Sequence, residues 1–366
     1  MPNTLRPALT AIPAHLQTLL DYEREAKDFL PETTWHYLQG GAMSESSIRN
    51  NLASFEKIKL VPRLLHDLTH GSTKCQLLGQ NFPHPIFLAP IGHQQLFHPQ
   101  GEAATALAAE VLQSNLILST FTNTDLHELK QENPFKWFQL YWQGEREKSL
   151  ALLKQAEAHD YKAIVITVDS PHKGIRDREN QLFFQLPEGM QHPHTPAHIP
   201  LPELKNGEHP VFNGLMRIAP TWKDIEWIIQ QTDLPIILKG ILHPKDAEIA
   251  LKIGVKGLII SNHGGRVLDT SIAPLDALTK IRAVVPDDFP LLLDGGIRRG
   301  TDVFKAIALG ANAVLIGRPY IHGLAVAGAL GVAHVLRILK EEFEITMALM
   351  GTATVNEINS EYIFRE

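Results

Sequence analysis

Ser261-Asn262-His263-Gly264-Gly265-Arg266 follows the apolar run Gly257-Leu258-Ile259-Ile260, and the junction between them decides how the chain is read. Four consecutive apolar residues bounded by glycine predict a short strand buried on both faces. His263 and Arg266 at its exit are not core residues. Glycines without a Cβ let a ligand and the backbone come close there. The imidazole can take a proton near neutral pH, and the guanidinium can grip a carboxylate through two parallel hydrogen bonds. A base beside a carboxylate clamp is what oxidation of a 2-hydroxy acid requires.

Working outward, runs of the same kind recur at Pro85–Pro90, Leu116–Ser119, Trp137–Trp142, Ala163–Asp169, Pro235–Gly240, Pro290–Gly295 and Ala313–Gly317. Segments of helical period separate most neighbours: Gly101–Gln113, Glu147–Ala158, Trp222–Gln231, Pro244–Ile253 and Thr301–Leu309. Thr301 suits an N-cap, and Gly254 and Gly310 suit helix ends. Eight such strands separated by helices predict an α/β fold, a (β/α)₈ TIM barrel, with a doubly wound sheet as the weaker alternative. Upstream, Tyr22–Phe29 and Thr34–Gln39 read as helices, the second stopping at Gly40-Gly41. The chain is therefore read as one domain, residues 1–366. It comprises an N-terminal helical extension (1–84), the barrel strands (85–320) and a C-terminal helical segment (321–366).

Residues 170–220 are the exception: a long stretch after the fourth strand, rich in proline and histidine and without period. A loop of that length predicts an active-site lid. His192, His194, His198 and His209 lack metal-ligand spacing and read as structural or solvated, so no metal is expected.

Bulk properties narrow the partners. The 366 residues carry a formal net charge of -6 and a pI near 6.3, which argues against nucleic acid or an anionic membrane surface. No run of about 18 apolar residues is apparent, so no membrane insertion is expected. The lone Cys75 excludes an intrachain disulfide and fits a reducing cytoplasm, and the proline-interrupted N-terminus is a poor signal peptide.

In such barrels function gathers at the C-terminal strand ends, with phosphate often held after the seventh and eighth strands. Those exits read Asp294-Gly295-Gly296-Ile297-Arg298-Arg299-Gly300 and Gly317-Arg318-Pro319. Glycine-rich turns with arginine offer N–H groups and charge to a phosphate. No GxGxxG or GxxxxGK[ST] is present, which favours a mononucleotide lying across the barrel mouth. Lys239, ending the fifth strand, can neutralise an electron-rich ring, or it is a snorkelling strand-end lysine. Asp169, ending the fourth, can orient His263 or merely cap a turn. Gln139 and Tyr141, on the third, can donate into the mouth or be ordinary barrel residues.

HYLQGGA, LAPIGHQQLFHPQGE, FQLYW, TVDS, LKGI, SNHGGRVLD, DGGIRRGTDVFKAIALGANAVLIGRP and FEITMALMG together resemble the FMN-dependent 2-hydroxy-acid oxidases and dehydrogenases. That is the family of glycolate oxidase, lactate oxidase and flavocytochrome b2, and the resemblance runs over residues of about 20 to 350. It implies FMN as cofactor. Pro90, Ile91 and Gly92 would face the flavin N5 edge. Ser119, Gln139, Thr167, Lys239 and Ser261 would contact its ring and ribityl parts. Asp294, Gly296, Arg298, Gly317 and Arg318 would hold the ribityl and phosphate parts. Tyr37, Arg176 and Arg266 would bind the substrate carboxylate, Tyr141 its hydroxyl, and Phe121 would shape the side-chain pocket. His263 would be the base and Asp169 its partner.

The implied reaction oxidises an L-2-hydroxy acid, lactate first and mandelate-like acids next, to the 2-oxo acid. Either hydride passes from C2 to flavin N5 as His263 takes the hydroxyl proton, or His263 takes the Cα proton first. O₂ is the first acceptor considered, with a quinone-linked dehydrogenase or a lactate 2-monooxygenase as alternatives. A type 2 isopentenyl-diphosphate isomerase and an IMP dehydrogenase-like barrel are the rival enzymes, and a flavin-binding protein without turnover the rival of another class. The resemblance also implies a homotetramer.

Three departures stand out. Asp177-Arg178-Glu179-Asn180 differs from the usual acidic-then-Asn pattern after the lid arginine. Lys173 replaces a small or apolar residue and either points to solvent or favours an acidic substrate. Gly92 stands where the oxidases often have Ala, as in the dehydrogenase and monooxygenase branches.

Overall fold

A computed structural model describes residues 5–129, 135–190, 192–195, 199 and 201–365. Eight parallel strands close into a barrel: β4 (Ile86–Leu88), β5 (Leu116–Ser119), β6 (Lys136–Leu140), β7 (Ile164–Thr167), β8 (Ile236–Ile241), β9 (Gly257–Ile260), β10 (Leu291–Asp294) and β11 (Ala313–Ile316). β11 pairs with β4 through Leu315 and Phe87, which shuts the ring. Period-two alternation divides the side chains. Phe87, Ile117, Trp137, Val165, Ile237, Ile259, Leu292 and Leu315 fill the interior, while Ile86, Leu88, Leu116, Leu118 and their counterparts face the helices. Because both faces are buried, the strands read as unbroken apolar runs rather than as alternation.

The helices α4 (Gly101–Val111), α5 (Arg146–Ala158), α7 (Trp222–Ile229), α8 (Pro244–Lys252), α9 (Pro274–Arg282) and α10 (Gly300–Ala308) follow their strands. A short α6 (Asp177–Gln181), a π-helical turn (Pro210–Gly214) and a 3₁₀ turn (Leu215–Arg217) lie in the 170–220 stretch. Gly254 and Gly310 take positive φ, 94° and 104°, just beyond α8 and α10, as helix-ending glycines do. Thr301 is not an N-cap. α10 starts one residue earlier, and Asp302 reaches back to accept from the N–H groups of Arg298 and Arg299 at 2.9 and 3.0 Å. A carboxylate is the stronger acceptor and also suits the positive end of the helix.

The extension before the barrel is helical but not only helical. α1 (Leu19–Ala26) begins three residues earlier than its apolar pattern suggests, because Thr18 and Asp21 form a reciprocal capping box. α2 (Glu32–Gln39) and α3 (Ser46–Glu56) follow, then β1 (Ile58–Leu60) and the hairpin β2 (Cys75–Leu77) and β3 (Gln80–Phe82). The hairpin plugs the N-terminal end of the barrel, where Phe82 lies 4.7 Å from Phe87, centroid to centroid. β1 pairs with β12 (Ile363–Arg365), tying the extension before the barrel to the strand after the last helix.

The last helix, α11 (Arg318–Met350), corrects one expectation. An 18-residue window in it has mean hydropathy 1.6, long and apolar enough to cross a membrane. The helix is nonetheless a core element. That window is 72% buried, and the helix breaks at Ala327–Gly328, where Gly328 has φ 55° and ψ -136°. A helix apolar on all sides is expected when neighbours cover it.

Candidate active site

The C-terminal strand ends converge on His263. Its Nδ1 lies 2.9 Å from Asp169 Oδ1. An ionised carboxylate only accepts, so Nδ1 carries the proton and Nε2 faces the mouth, 3.4 Å from the Tyr141 hydroxyl. Burial opposes the charge of Asp169, but the adjacent His263 and Lys239 more than compensate and hold its carboxyl below the ordinary value. Gly240 makes room for this carboxylate: a Cβ there would sit 2.4 Å from Asp169 Cβ. The β8–β9 register shifts between Lys239 and Ile241, around Gly240 at φ 110°. Such an irregularity re-aims a side chain at a strand end.

Asn262 anchors the loop that presents His263. Asn51 of α3 and Asn262 exchange two amide hydrogen bonds of 2.8 Å, and Asn262 Oδ1 also accepts from Gly265 N–H at 3.0 Å. His263 itself is left-handed, φ 58°. A non-glycine residue held there is strained by about 1–3 kcal/mol and is kept by its surroundings. Gly264 and Gly265 also serve close contacts within the protein. A Cβ on Gly265 would lie 2.8 Å from Ile48 N, and one on Gly264 would lie 3.3 Å from Arg318 Nη1. Their close approach is to α3 and to Arg318.

Arg176 and Arg266 come together beside His263, and they share a partner the sequence reading passed over. Glu179 Oε1 accepts from Arg176 Nη1 at 2.9 Å and from Arg266 Nη2 at 3.2 Å, while Lys173 Nζ lies 2.8 Å from Oε2. Its side chain is only 1% exposed. Glu179 stands three residues after Arg176, which places both on one face of a helical turn and could have flagged it. Lys173 is thus engaged with Glu179 rather than free in solvent. Arg266 Nη1 donates to the carbonyls of Tyr37 and Gly40, and its guanidinium lies 5.0 Å over the Tyr37 ring. Tyr37 stacks on Phe184 at 4.4 Å, so the 170–220 stretch contributes to the site wall.

Phe121 lies 5.1 Å from Tyr141, and around it stand two histidines the sequence reading did not assign to the site. His93 stacks on Phe121 at 5.5 Å, and His192 meets both rings, 4.7 Å from His93 and 5.9 Å from Phe121. His93 directly follows the first strand exit at Gly92, the one signal that pointed to it. His194 is structural, bonded to Leu126 N–H and Gln155, and His209 accepts from the Val211 N–H. His198 lies outside the described residues. No cluster of potential metal ligands occurs among the described residues.

On the cofactor side, Lys239 is buried between Ser261 Oγ (2.9 Å) and Asp294 Oδ2 (3.1 Å), and the carboxylates of Asp294 and Asp169 raise its pKa against the effect of burial. Ser119 Oγ donates to Gln139 Oε1 at 3.1 Å, and Gln139 Nε2 is buried without a partner. Thr167 is buried at the end of β7 and registers with Lys239. Pro90, Ile91 and Gly92 line the exit of β4, and a Cβ on Gly92 would lie 2.7 Å from Phe121 Cβ.

The phosphate loops differ from expectation. Gly295 and Gly296, both at φ 96°, pack against Asn51, whose carbonyl oxygen would lie 2.3 Å from a Gly296 Cβ. Arg318 donates to the carbonyls of Leu38, Gly40 and Gly264, and Arg298 to that of Ile297 while facing Glu23 at 3.7 Å. These arginines remain neighbours. Burial and the adjacent Arg266 and Arg298 push Arg318 down to about 9. Crowded, part-buried guanidinium groups beside Gly317 call for an anion, and an unpaired amide donor and a buried ammonium at the ends of β6 and β8 call for a carbonyl-rich ring. A flavin mononucleotide has both.

The sequence profile of the FMN-dependent dehydrogenases matches residues 26–365. The chain belongs to the FMN-dependent dehydrogenase family. It is 44% identical over 352 residues to an L-lactate oxidase of Roseobacter sp. (strain GAI101), covering 94% of each chain. It is 39% identical to human 2-hydroxyacid oxidase 1, covering 93% of this chain and 94% of that protein. A crystal structure of mandelate oxidase with benzoyl-formic acid superposes with a TM-score of 0.87 at 37% identity, over 96% of this chain and 98% of the other. Within this FMN-dependent family, Lys239, Ser119, Gln139, Thr167 and Ser261 are the residues available to the ring. Asp294, Arg298, Gly317 and Arg318 are those available to the ribityl and phosphate groups.

The IMP dehydrogenase-like reading loses its basis. Cys75 sits in the hairpin at the opposite end of the barrel, and burial pushes its thiol up to about 12, so it cannot serve as a catalytic nucleophile at the mouth.

Proposed function

We propose that the protein oxidises a small L-2-hydroxy acid to the 2-oxo acid and passes the electrons to O₂. One observation carries the chemistry: a single barrel mouth holds His263, with Asp169 behind it and Tyr141 before it, beside the Arg176–Arg266 pair. The choice of O₂ as acceptor is supported by relatives named L-lactate oxidase and 2-hydroxyacid oxidase.

Bound FMN supplies a two-electron acceptor. The protein supplies the rest. Arg176 and Arg266 bind the substrate carboxylate, with Tyr37 packed under Arg266, which fixes C2 relative to His263. Tyr141 hydrogen-bonds the substrate hydroxyl. His263 Nε2 takes a proton from the substrate, and Asp169 stabilises the positive charge that the imidazole then carries. A positioned base is worth about 10²–10⁴ in rate. Lys239, held by Asp294 and Ser261, offers positive charge where a ring accepts electrons.

Anaerobic mixing with a panel of L-2-hydroxy acids, lactate first and mandelate next, tests this reading. The yellow flavin colour is expected to bleach, and air is expected to restore it with release of peroxide. Absence of bleaching by every acid would refute the reaction. Reoxidation that needs a quinone would refute O₂ as acceptor. We further propose a cytoplasmic homotetramer, supported by family resemblance and by the lone, half-buried cysteine. Light scattering of the purified holoenzyme tests the assembly.

A further inference from the structure

We propose that His93 and His192 form the specificity-determining end of the substrate site and select 2-hydroxy acids that carry a hydroxyl on C3. The inference rests on the 2-hydroxy-acid reading above and names the substrate side chain that this chain's own pocket suits. The Nδ1 atoms of both imidazoles are buried without a hydrogen-bond partner. A buried polar atom left unpaired costs free energy that a ligand group can recover. Both rings pack against Phe121, which in turn contacts Tyr141, so the two imidazoles belong to the wall next to the residue that faces the substrate hydroxyl.

The protonation states complete the match. His192 already bonds the backbone of Phe121 and Thr122. Since its Nδ1 is unpaired, Nε2–H is the donor and Nδ1 is left as an acceptor. Burial, His192 and the nearby Arg266 and Arg176 push His93 down to about 3, so its ring is neutral and can present an N–H. A hydroxyl both donates and accepts. It can donate to His192 Nδ1 and accept from His93 Nδ1–H. A methyl can do neither and would leave both nitrogens buried and dry. A left-handed backbone at His93, φ 58°, is a further sign that this side chain is held in place.

L-glycerate and L-2-hydroxybutyrate differ only in a hydroxyl against a methyl on C3, and they provide the test. For the wild-type holoenzyme, kcat/KM is expected to favour glycerate by at least about tenfold, since a site built to bond a hydroxyl rejects the analogue lacking it. His93→Phe and His192→Phe, which keep a ring against Phe121, are each expected to lower the ratio about tenfold or more. Flavin content and visible spectrum establish that each variant is folded, and the wild-type comparison stands without either. Equal use of the two acids, a preference for 2-hydroxybutyrate, or a ratio unmoved in both variants would overturn the proposal. Bleaching by neither acid nor by lactate would overturn the functional reading itself.

Discussion

Asp169→Asn tests the mechanism most directly. The carboxylate lies 2.9 Å from His263 Nδ1, and as His263 takes the substrate proton it becomes the counter-charge of an imidazolium. With charge centres about 4 Å apart and an effective dielectric of about 20, the attraction amounts to about 4 kcal/mol. Losing it corresponds to a fall of about 10³ in the rate of substrate oxidation. Asn keeps the volume and a hydrogen bond, but not the charge that fixes the tautomer. Anaerobic stopped-flow bleaching at saturating substrate isolates this step from reoxidation. Substrate affinity should change by less than about threefold, because Arg176 and Arg266 are untouched and pairs without shared partners act independently.

Gly240→Ala gives a second route to the same defect. Its Cβ would fall 2.4 Å from Asp169 Cβ and 2.5 Å from Cγ, so the carboxylate must leave its place while its charge is retained. A comparable loss in both variants would show that placement and charge are both needed. Bleaching within about fivefold of wild type in Asp169→Asn, a loss of under about 1 kcal/mol, would refute the reasoning.

Three further outcomes follow from the geometry. Glu179→Gln removes the carboxylate shared by Arg176 and Arg266, so the guanidinium groups should splay. KM is expected to rise about tenfold, the lower end for losing a charged hydrogen bond, with kcat held within about threefold in steady-state assays. Gly296→Ala forces a Cβ to 2.3 Å from the Asn51 carbonyl at φ 96°, and thermal unfolding should show a loss of at least about 2 kcal/mol together with a lower flavin-to-protein ratio. Asp269 accepts from Ser44 Oγ, Ser46 Oγ and Ser47 N–H at 2.7–2.9 Å; burial opposes its charge, but these bonds hold its carboxyl far below the ordinary 3.8. A depressed folded value means that its stabilisation is complete above about pH 4 and is lost as pH falls through that value. Denaturant titrations of wild type and Asp269→Ala should therefore differ by at least about 2 kcal/mol at pH 7 and converge progressively as the pH falls from about 4 through the depressed folded value.

The barrel was legible because each strand is buried on both faces and ends at a glycine or a polar residue. The eight runs and the strands differ by a residue or two at most ends, and Lys239, Asp169 and His263 stand at the exits where sequence order puts them. What escaped the sequence has a common cause. β1, β2, β3 and β12 are three residues each and, unlike β4, include exposed residues, so no apolar run marks them. Partners of the site residues lie far away in the chain: Asn51 is 211 residues from Asn262, and His93 meets His192 across 99 positions of sequence. Arg298 and Arg318 look from sequence like phosphate ligands alone. Arg318 also ties carbonyls of α2 and of the 263–265 turn, and Arg298 faces Glu23 of α1, which periodicity cannot reveal.

Gly92 shows how the fold adds a reason for a residue that sequence comparison does not give. In sequence its lack of a methyl looks like a statement about the electron acceptor. In the fold, a Cβ there would lie 2.7 Å from Phe121 Cβ and 3.1 Å from the Phe121 carbonyl oxygen. Contacts that short force a shift of backbone, not of a flexible side-chain tip. Phe121 is in turn the surface on which His93 and His192 pack. Gly92 and Phe121 are thus one structural choice, made where the substrate side chain is accommodated. The glycine follows from how closely the second barrel loop approaches the first.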